Sequence, residues 1–392
     1  MSESHALPPF PLHDHHSHVS LYAALEGLPN LTSFSATEGQ AALAFLRGQA
    51  RDRLGLIVGW RSDRLALDRF ALRDMPPLLI VNASLHGFVA TPAALPALAA
   101  LWPELAENAA DPSWGERNLG RLFAFYARLA GQTGAKLDAF MTNMEALGIH
   151  VLEDMSVAGS EALELIADSR FHDRVISWAT PELYRSLQPR LRERCEGVKL
   201  FLDGSLGARS AALGEAFPDG TVGRLNYRAE QLESLLREFG PQSLSPLSLG
   251  HRTPRIAVHA IGRAAIEQLV GCLEHIDPRP SAWTCLRIEH AQFIDRGQAR
   301  RCKQLGLTLS MQPNFNSDSR DYTDRLSPRL CAENDPFRML IDEAGFVPGS
   351  DLVFGSDGMP HGWDCALRCG SEPPYPGQRL TVDELAAGYR AL

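Results

Sequence analysis

The sequence predicts an α/β fold of the (β/α)8 barrel type, formed as one domain over residues 1–392. Three observations predict it. Short apolar runs alternate with helical stretches along the chain, as parallel strands joined by helices do. The number of such runs is near eight, which favours a closed barrel over an open sheet. His16, His18, Lys199, His259, His290 and Asp357 each sit in, or at the end of, one of these runs. A parallel barrel collects its strand ends at one rim, where such a dispersed set of polar residues can meet.

The elements follow in order. Residues 11–18 (PLHDHHSH) end a first short strand. Residues 54–59 (LGLIVG) and 78–82 (LLIVN), bounded by Pro, Gly and charges, read as buried strands. Residues 93–148 are rich in Ala and Leu at helical spacing, for example LGRLFAFYARLA at 119–130, and read as a helical insertion. Strands follow at 148–155 and at 197–204, the latter ending in a Gly-rich turn. Residues 228–239 form an amphipathic helix. Residues 255–262 are a strand and 264–276 its following helix. Strands at 284–292 and 307–313 are separated by a helix containing ARRCKQLG, and 351–358 is the last strand. The terminal helix at 381–392 begins with a capping box, with Thr381 as N-cap and Glu384 at the third helical position.

Composition narrows the function classes. With 45% hydrophobic and 22% charged residues, the chain is of ordinary globular type. No run of 18 uncharged apolar residues occurs, and the N-terminus lacks a basic region followed by an apolar one. Neither a membrane span nor a signal peptide is expected. A net charge of −9 gives no encouragement to nucleic-acid or anionic-membrane binding. The seven cysteines are odd in number and lack CxxC pairs, which fits reduced thiols and a cytoplasmic location. Cys365 and Cys369, at i and i+4, are a candidate metal or redox pair set against the plainer reading of two incidental thiols.

The polar candidates carry definite chemistry. His16 and His18 are two apart, so on a strand both imidazoles face one side and can reach one ion. His13 and His15 have the same spacing, and spacing alone does not choose between the pairs. His259 follows the apolar run RIAV, and His290 follows CLRIE. A histidine at a strand end serves either as a hydrogen-bonded core residue or as a ligand. Asp357 ends DLVFGS, where a buried carboxylate is costly unless paired or metal-bound. Lys199 lies inside VKLFLD, where a bare ammonium is expensive. Burial lowers a lysine pKa, and the neutral amine can add carbon dioxide to give a carbamate that bridges two metal ions.

These stretches resemble the amidohydrolase superfamily, in the branch of YtcJ-like and N-substituted formamide deformylase-like proteins (amidohydrolase 3 type). The matching segments are DHHSH at 14–18, NASLHGFVATPAAL at 82–95, GIHVLEDM at 148–155 and VKLFLDGSLGARSAAL at 198–213. VHAIG at 258–262, RIEHAQ at 287–292, SMQP at 310–313 and FGSDGMP at 354–360 complete the set in family order. The resemblance implies a metal-dependent hydrolase barrel. It selects His16 and His18 as ligands through the pattern D-x-H-x-H that begins at Asp14. It implies His259 and His290 as further ligands, Lys199 as a carbamylated bridge, and Asp357 as both ligand and catalytic base. It places His86 where the family has a histidine near the substrate. Asp203, Gly204, Arg209, Arg287 and Gln312 carry structural roles in this reading.

The resemblance further implies Zn2+, as one or two ions or another divalent transition metal, and a small-molecule substrate cleaved at an N-acyl or N-formyl amide. Other chemistry of the superfamily is the alternative: ester or lactone hydrolysis, deamination or decarboxylation. A non-catalytic barrel serving as a binding or assembly partner is a third reading. Two departures stand out. The β-sandwich domain usual in these relatives is expected to be absent, which fits a minimal barrel, a partner-dependent subunit or a truncated chain. A homodimer would then cover the face that the missing domain leaves. Arg263 also replaces the acidic residue of the family's HAIGDRA.

Overall fold

The computed structural model describes residues 10–62, 64–241 and 255–390. In chain order its strands are β1 Leu12–Ser17, β2 Gly55–Trp60, β3 Leu78–Asn82, β4 Phe88–Ala90, β5 Ile149–Asp154, β6 Val175–Ala179, β7 Cys195–Phe201, β8 Arg255–Ala260, β9 Leu286–His290, β10 Thr308–Met311 and β11 Leu352–Phe354. Eight of them form one parallel sheet in the order β1-β5-β6-β7-β8-β9-β10-β11. The strands are largely buried, as parallel strands covered by helices must be. Val198, Leu200, Val258, Ile288 and Leu309 are all buried.

The sheet curls into a nearly closed barrel. At the seam the Asp357 N–H donates to His16 O at 2.7 Å, and the Ser356 N–H donates to Asp14 Oδ1 at 2.8 Å. Gly355 lies on this seam, where any Cβ would run into the His16 backbone. Asp14 is the brace of the seam, since its other oxygen accepts from Ser356 Oγ at 2.5 Å. The expected barrel is therefore present.

The chain divides into two compact units, residues 1–23 with 132–392 and residues 24–131. The barrel belongs to the first. The second holds a three-stranded sheet, β2-β3-β4, with β2 parallel to β3 and β4 antiparallel to it. Its core includes Leu31, Leu46, Ile57, Leu78 and Ile80. The runs at 54–59 and 78–82 are thus strands, but not strands of the barrel. A buried strand has the same apolar pattern in either sheet, so only its pairing tells them apart. The eighth barrel place is filled by β6, whose short VISWA run was not read as a strand.

The helical stretch at 93–148 crosses the boundary between the units. The helix Leu119–Ala130 lies in the second unit and the helix Gly134–Ala146 in the first. Gly131 separates them with a left-handed φ of 79°. The terminal helix, Val382–Gly388, starts with the expected capping box between Thr381 and Glu384. Among the described residues no helix is long and apolar enough to cross a membrane.

Candidate metal centre

Strand register sets the rim. Phe201 of β7 pairs with His259 of β8, and Ala260 of β8 pairs with His290 of β9. The ring centroids of His259 and His290 are 4.5 Å apart, and those of His290 and His16 are 4.7 Å apart. The His18 ring centroid is 5.6 Å from that of His16. His16 Nε2 and His18 Nε2 lie 3.8 and 3.4 Å from Asp357 Oδ1. These three side chains can hold one cation between them. Strand ends more than 330 residues apart in sequence thus meet at one spot.

The backbone bends to allow this. His290 has φ 72°, Ala291 50° and Asp357 55°. Non-glycine residues in the left-handed region cost free energy, and such strain collects at functional sites. On a regular strand His290 would face away from Glu289. The left-handed turn brings both to the centre. Tyr22 supports the second turn, its hydroxyl donating to Asp357 O at 2.8 Å.

Each of three imidazoles has one nitrogen fixed. His16 Nδ1 donates to Glu289 Oε2 at 2.6 Å. His290 Nδ1 donates to Gln312 Oε1 at 2.7 Å, and His259 Nε2 to Gly204 O at 3.1 Å. Carbonyl oxygens only accept, so these bonds set the tautomers of His290 and His259. The other nitrogen of each ring can then offer a lone pair, as in metal sites whose ligand histidines are oriented from behind. Burial, and then the charge of Lys199, holds His16 well below the ordinary imidazole pKa. His16 therefore stays neutral, as a ligand must.

Lys199 is completely buried, and its Nζ has no hydrogen-bond partner. It lies 5.3 Å from the Phe201 ring centroid. Burial lowers its pKa from 10.5 to about 8, against the pull of the Glu289 carboxylate. An orphaned buried amine whose charge acts on His16 fits a group that takes a further substituent or faces a bound ion.

Beneath the rim lies a layer that the sequence reading only partly anticipated. Arg287 Nε donates to Glu289 Oε1 at 2.5 Å and Arg287 Nη1 to Glu153 Oε1 at 2.9 Å. Its guanidinium stacks over Trp178, whose Nε1 donates to Glu153 Oε2 at 2.7 Å. Glu289 thus links Arg287 to the ligand candidate His16. Its position two residues after Arg287 on a buried strand was the available signal, because both must then face the barrel interior.

His13 and His15 form the competing pair. Their rings stack at 3.7 Å, and with Glu153 they make a second group of cation-binding size. Arg287 already neutralises that carboxylate. Burial pushes Glu153 upward, but Arg287 and the two histidines outweigh it and hold the pKa well below the usual range.

The amidohydrolase family model matches residues 6–365. The chain belongs to the amidohydrolase family. Over 172 residues it is 32% identical to the protein LONG AFTER FAR-RED 3 of Arabidopsis thaliana, covering 41% of this chain and 26% of that one. Over 155 residues it is 32% identical to YtcJ of Bacillus subtilis strain 168, named as an amidohydrolase, covering 39% of this chain and 27% of that one. The chain thus spans only about a quarter of the length of these relatives in the matched stretches. In fold it is similar to a metal-dependent hydrolase from Pyrococcus furiosus, with TM-score 0.65, 21% identity, and coverage of 97% of this chain and 80% of that one. A metal-dependent hydrolase from Pyrococcus horikoshii OT3 gives TM-score 0.65 at 24% identity, covering 97% of this chain and 79% of that one.

The remaining candidates of this amidohydrolase fall into place as follows. Asp203 accepts from the Ile261, Gly262 and Ala212 N–H groups at 3.0, 2.8 and 2.9 Å, bracing the end of β8. Arg209 pairs with Asp219 and Asp324. Arg263 reaches Glu333 at 3.1 Å. His86 belongs to the second unit, where its Nδ1 pairs with Glu116 Oε2 at 2.9 Å.

Proposed function

We propose that this amidohydrolase is a metal-dependent enzyme that cleaves a carbon–nitrogen bond other than a peptide bond, in an N-acyl or N-formyl amide of a small molecule. The observation that carries this reading is the convergence of His16, His18, His259, His290 and Asp357, with the buried amine of Lys199 close enough for its charge to act on His16 and Asp357. Imidazoles with one carboxylate suit zinc or a similar divalent ion. His16, His18, His259, His290 and Asp357 would hold one or two such ions. Addition of carbon dioxide to the neutral Lys199 amine would release one proton and leave a carbamate, an anionic oxygen donor that would help to hold the ions. The seven free thiols agree with a reducing, cytoplasmic setting.

When bound, the metal supplies Lewis acidity and makes hydroxide available near neutral pH. The chain's own residues do the rest. Glu289 and Gln312 fix the rings of His16 and His290 so that the ligand atoms keep their places. Asp357 accepts the proton of the attacking water and returns it to the departing nitrogen, which is otherwise a poor leaving group. Tyr22 holds the Asp357 turn from behind.

The test combines elemental analysis of untagged protein with a substrate panel. About two zinc-like ions per chain, with turnover of N-formyl or N-acyl amines, is the expected result. Turnover confined to esters or lactones would move the activity elsewhere in the superfamily. No metal after ions and bicarbonate are supplied would replace the enzyme reading with a binding role.

A further inference from the structure

We propose that Cys365 and Cys369 form a second, separate metal site, a two-thiolate clamp for a soft divalent cation of the zinc and cadmium class. Both lie on the helix Trp363–Ser371 that follows the Asp357 loop. Their Sγ atoms are 3.8 Å apart, and both residues are part-exposed. Two thiolates on one tetrahedral ion, with bonds of about 2.3 Å, place their sulfurs about 3.8 Å apart. The two sulfurs therefore already stand at the bite of such an ion.

A disulfide fits this pair less well. Side chains at i and i+4 of a helix have Cβ atoms roughly 5–6 Å apart, whereas a disulfide needs about 3.5–4.5 Å. Closing the bond would have to deform a helix that is tied down. Asn316 Nδ2 donates to Cys369 O at 3.0 Å, and the Leu380 N–H donates to Gly370 O at 2.8 Å. Bridging by a single ion needs no such movement.

The protonation state favours capture. The two thiols share a hydrogen bond, and this bond with the Arg368 guanidinium beside it favours thiolate on the pair. Binding forms two metal–sulfur bonds and breaks each S–H bond still present, with one proton released to solvent for each. The other two positions on the ion go to water or an added small ligand.

The test is titration of the full-length, phosphine-reduced protein with cadmium, following the thiolate-to-cadmium absorption in the ultraviolet. The barrel rim contains no thiol among its candidate ligands, so cadmium there leaves this band silent. The expected band saturates at about one cadmium per chain. It disappears in Cys365→Ser and in Cys369→Ser and survives in Cys195→Ser. A measurement on the unaltered protein supports it without depending on variant folding: cadmium should protect Cys365 and Cys369, but not Cys285, from alkylation read by mass. Absence of the band, its survival in both serine variants, or unprotected alkylation of Cys365 and Cys369 would overturn the assignment.

Discussion

Two groups beside the first barrel strand have the same makeup and different neighbours. His16 and His18 meet Asp357, and His13 and His15 meet Glu153. Both are pairs of histidines two apart in or just after β1, each beside a carboxylate. The difference is Arg287. It sits on Glu153 and supplies the positive charge that a metal would otherwise bring. Asp357 lies beside His16 and His18, at 3.8 and 3.4 Å. Lys199, which feels the charges of Glu289 and Asp357, is pushed toward neutrality by burial. A set of ligand-type residues has different chemistry according to the cation beside it. Where an internal cation is installed, the same residues become a closed ion-pair network.

The strongest way to break this comparison is to remove the carboxylate of the open group. Asp357→Asn should lower turnover by about 10²–10⁴-fold or more with the fold kept. Turnover assays alongside circular dichroism check it, and wild-type turnover would take Asp357 out of catalysis. Next comes the amine. Lys199→Ala should lose bound metal and activity together, with partial return when short-chain acids and bicarbonate are supplied. Full metal content by elemental analysis would sink the bridging role.

The two histidine pairs can then be compared directly. His16→Ala should lose metal, while His13→Ala should keep it at the wild-type stoichiometry. Equal loss in both would mean that the groups do not differ as argued. A smaller effect tests the internal cation itself. Arg287→Met leaves Glu153 and Glu289 buried without their shared partner and should cost about 3–5 kcal/mol, read by chemical denaturation. Unchanged stability would show that Arg287 is not what balances the lower group.

The smallest effect compares neighbours on β5. Glu153, paired with Arg287, is held low, whereas burial raises Asp154 from 3.8 to about 6. Between about pH 4 and 6 the folded state binds a proton on Asp154 that the unfolded chain has released. Stability from this group is therefore present below the unfolded pKa and lost as pH rises through the folded one. Asp154→Asn should flatten the stability profile across that window by on the order of 1–3 kcal/mol. A profile parallel to wild type in thermal melts at a series of pH values would refute it.

Much of the site was legible before any coordinates. His16, His18, Lys199, His259, His290 and Asp357 sit in, or at the end of, short strand-like runs, and a polar residue in such a place is conspicuous because burial is costly. Glu289 and Arg287 were less legible as a unit. Their alternation shows a shared face, but nothing local shows that His16 lies across the barrel from them. The assignment of β2 and β3 needed structure for a similar reason. Their composition reports burial and says nothing about which strand lies alongside.

The sequence by itself determined the alternation of strand and helix through local periodicity, and it determined the family and the candidate ligands through motifs that resemble those of known amidohydrolases. Tertiary structure decided which eight strands close the barrel. It also decided which histidine pair meets Asp357 and which meets the Glu153 held by Arg287, which rings are oriented from behind, and that Cys365 and Cys369 point their sulfurs at each other. Those outcomes depend on distances between groups far apart in the chain, and on the placement of a single guanidinium. Electrostatic energy in a buried site follows such distances and neighbours, which residue order does not specify.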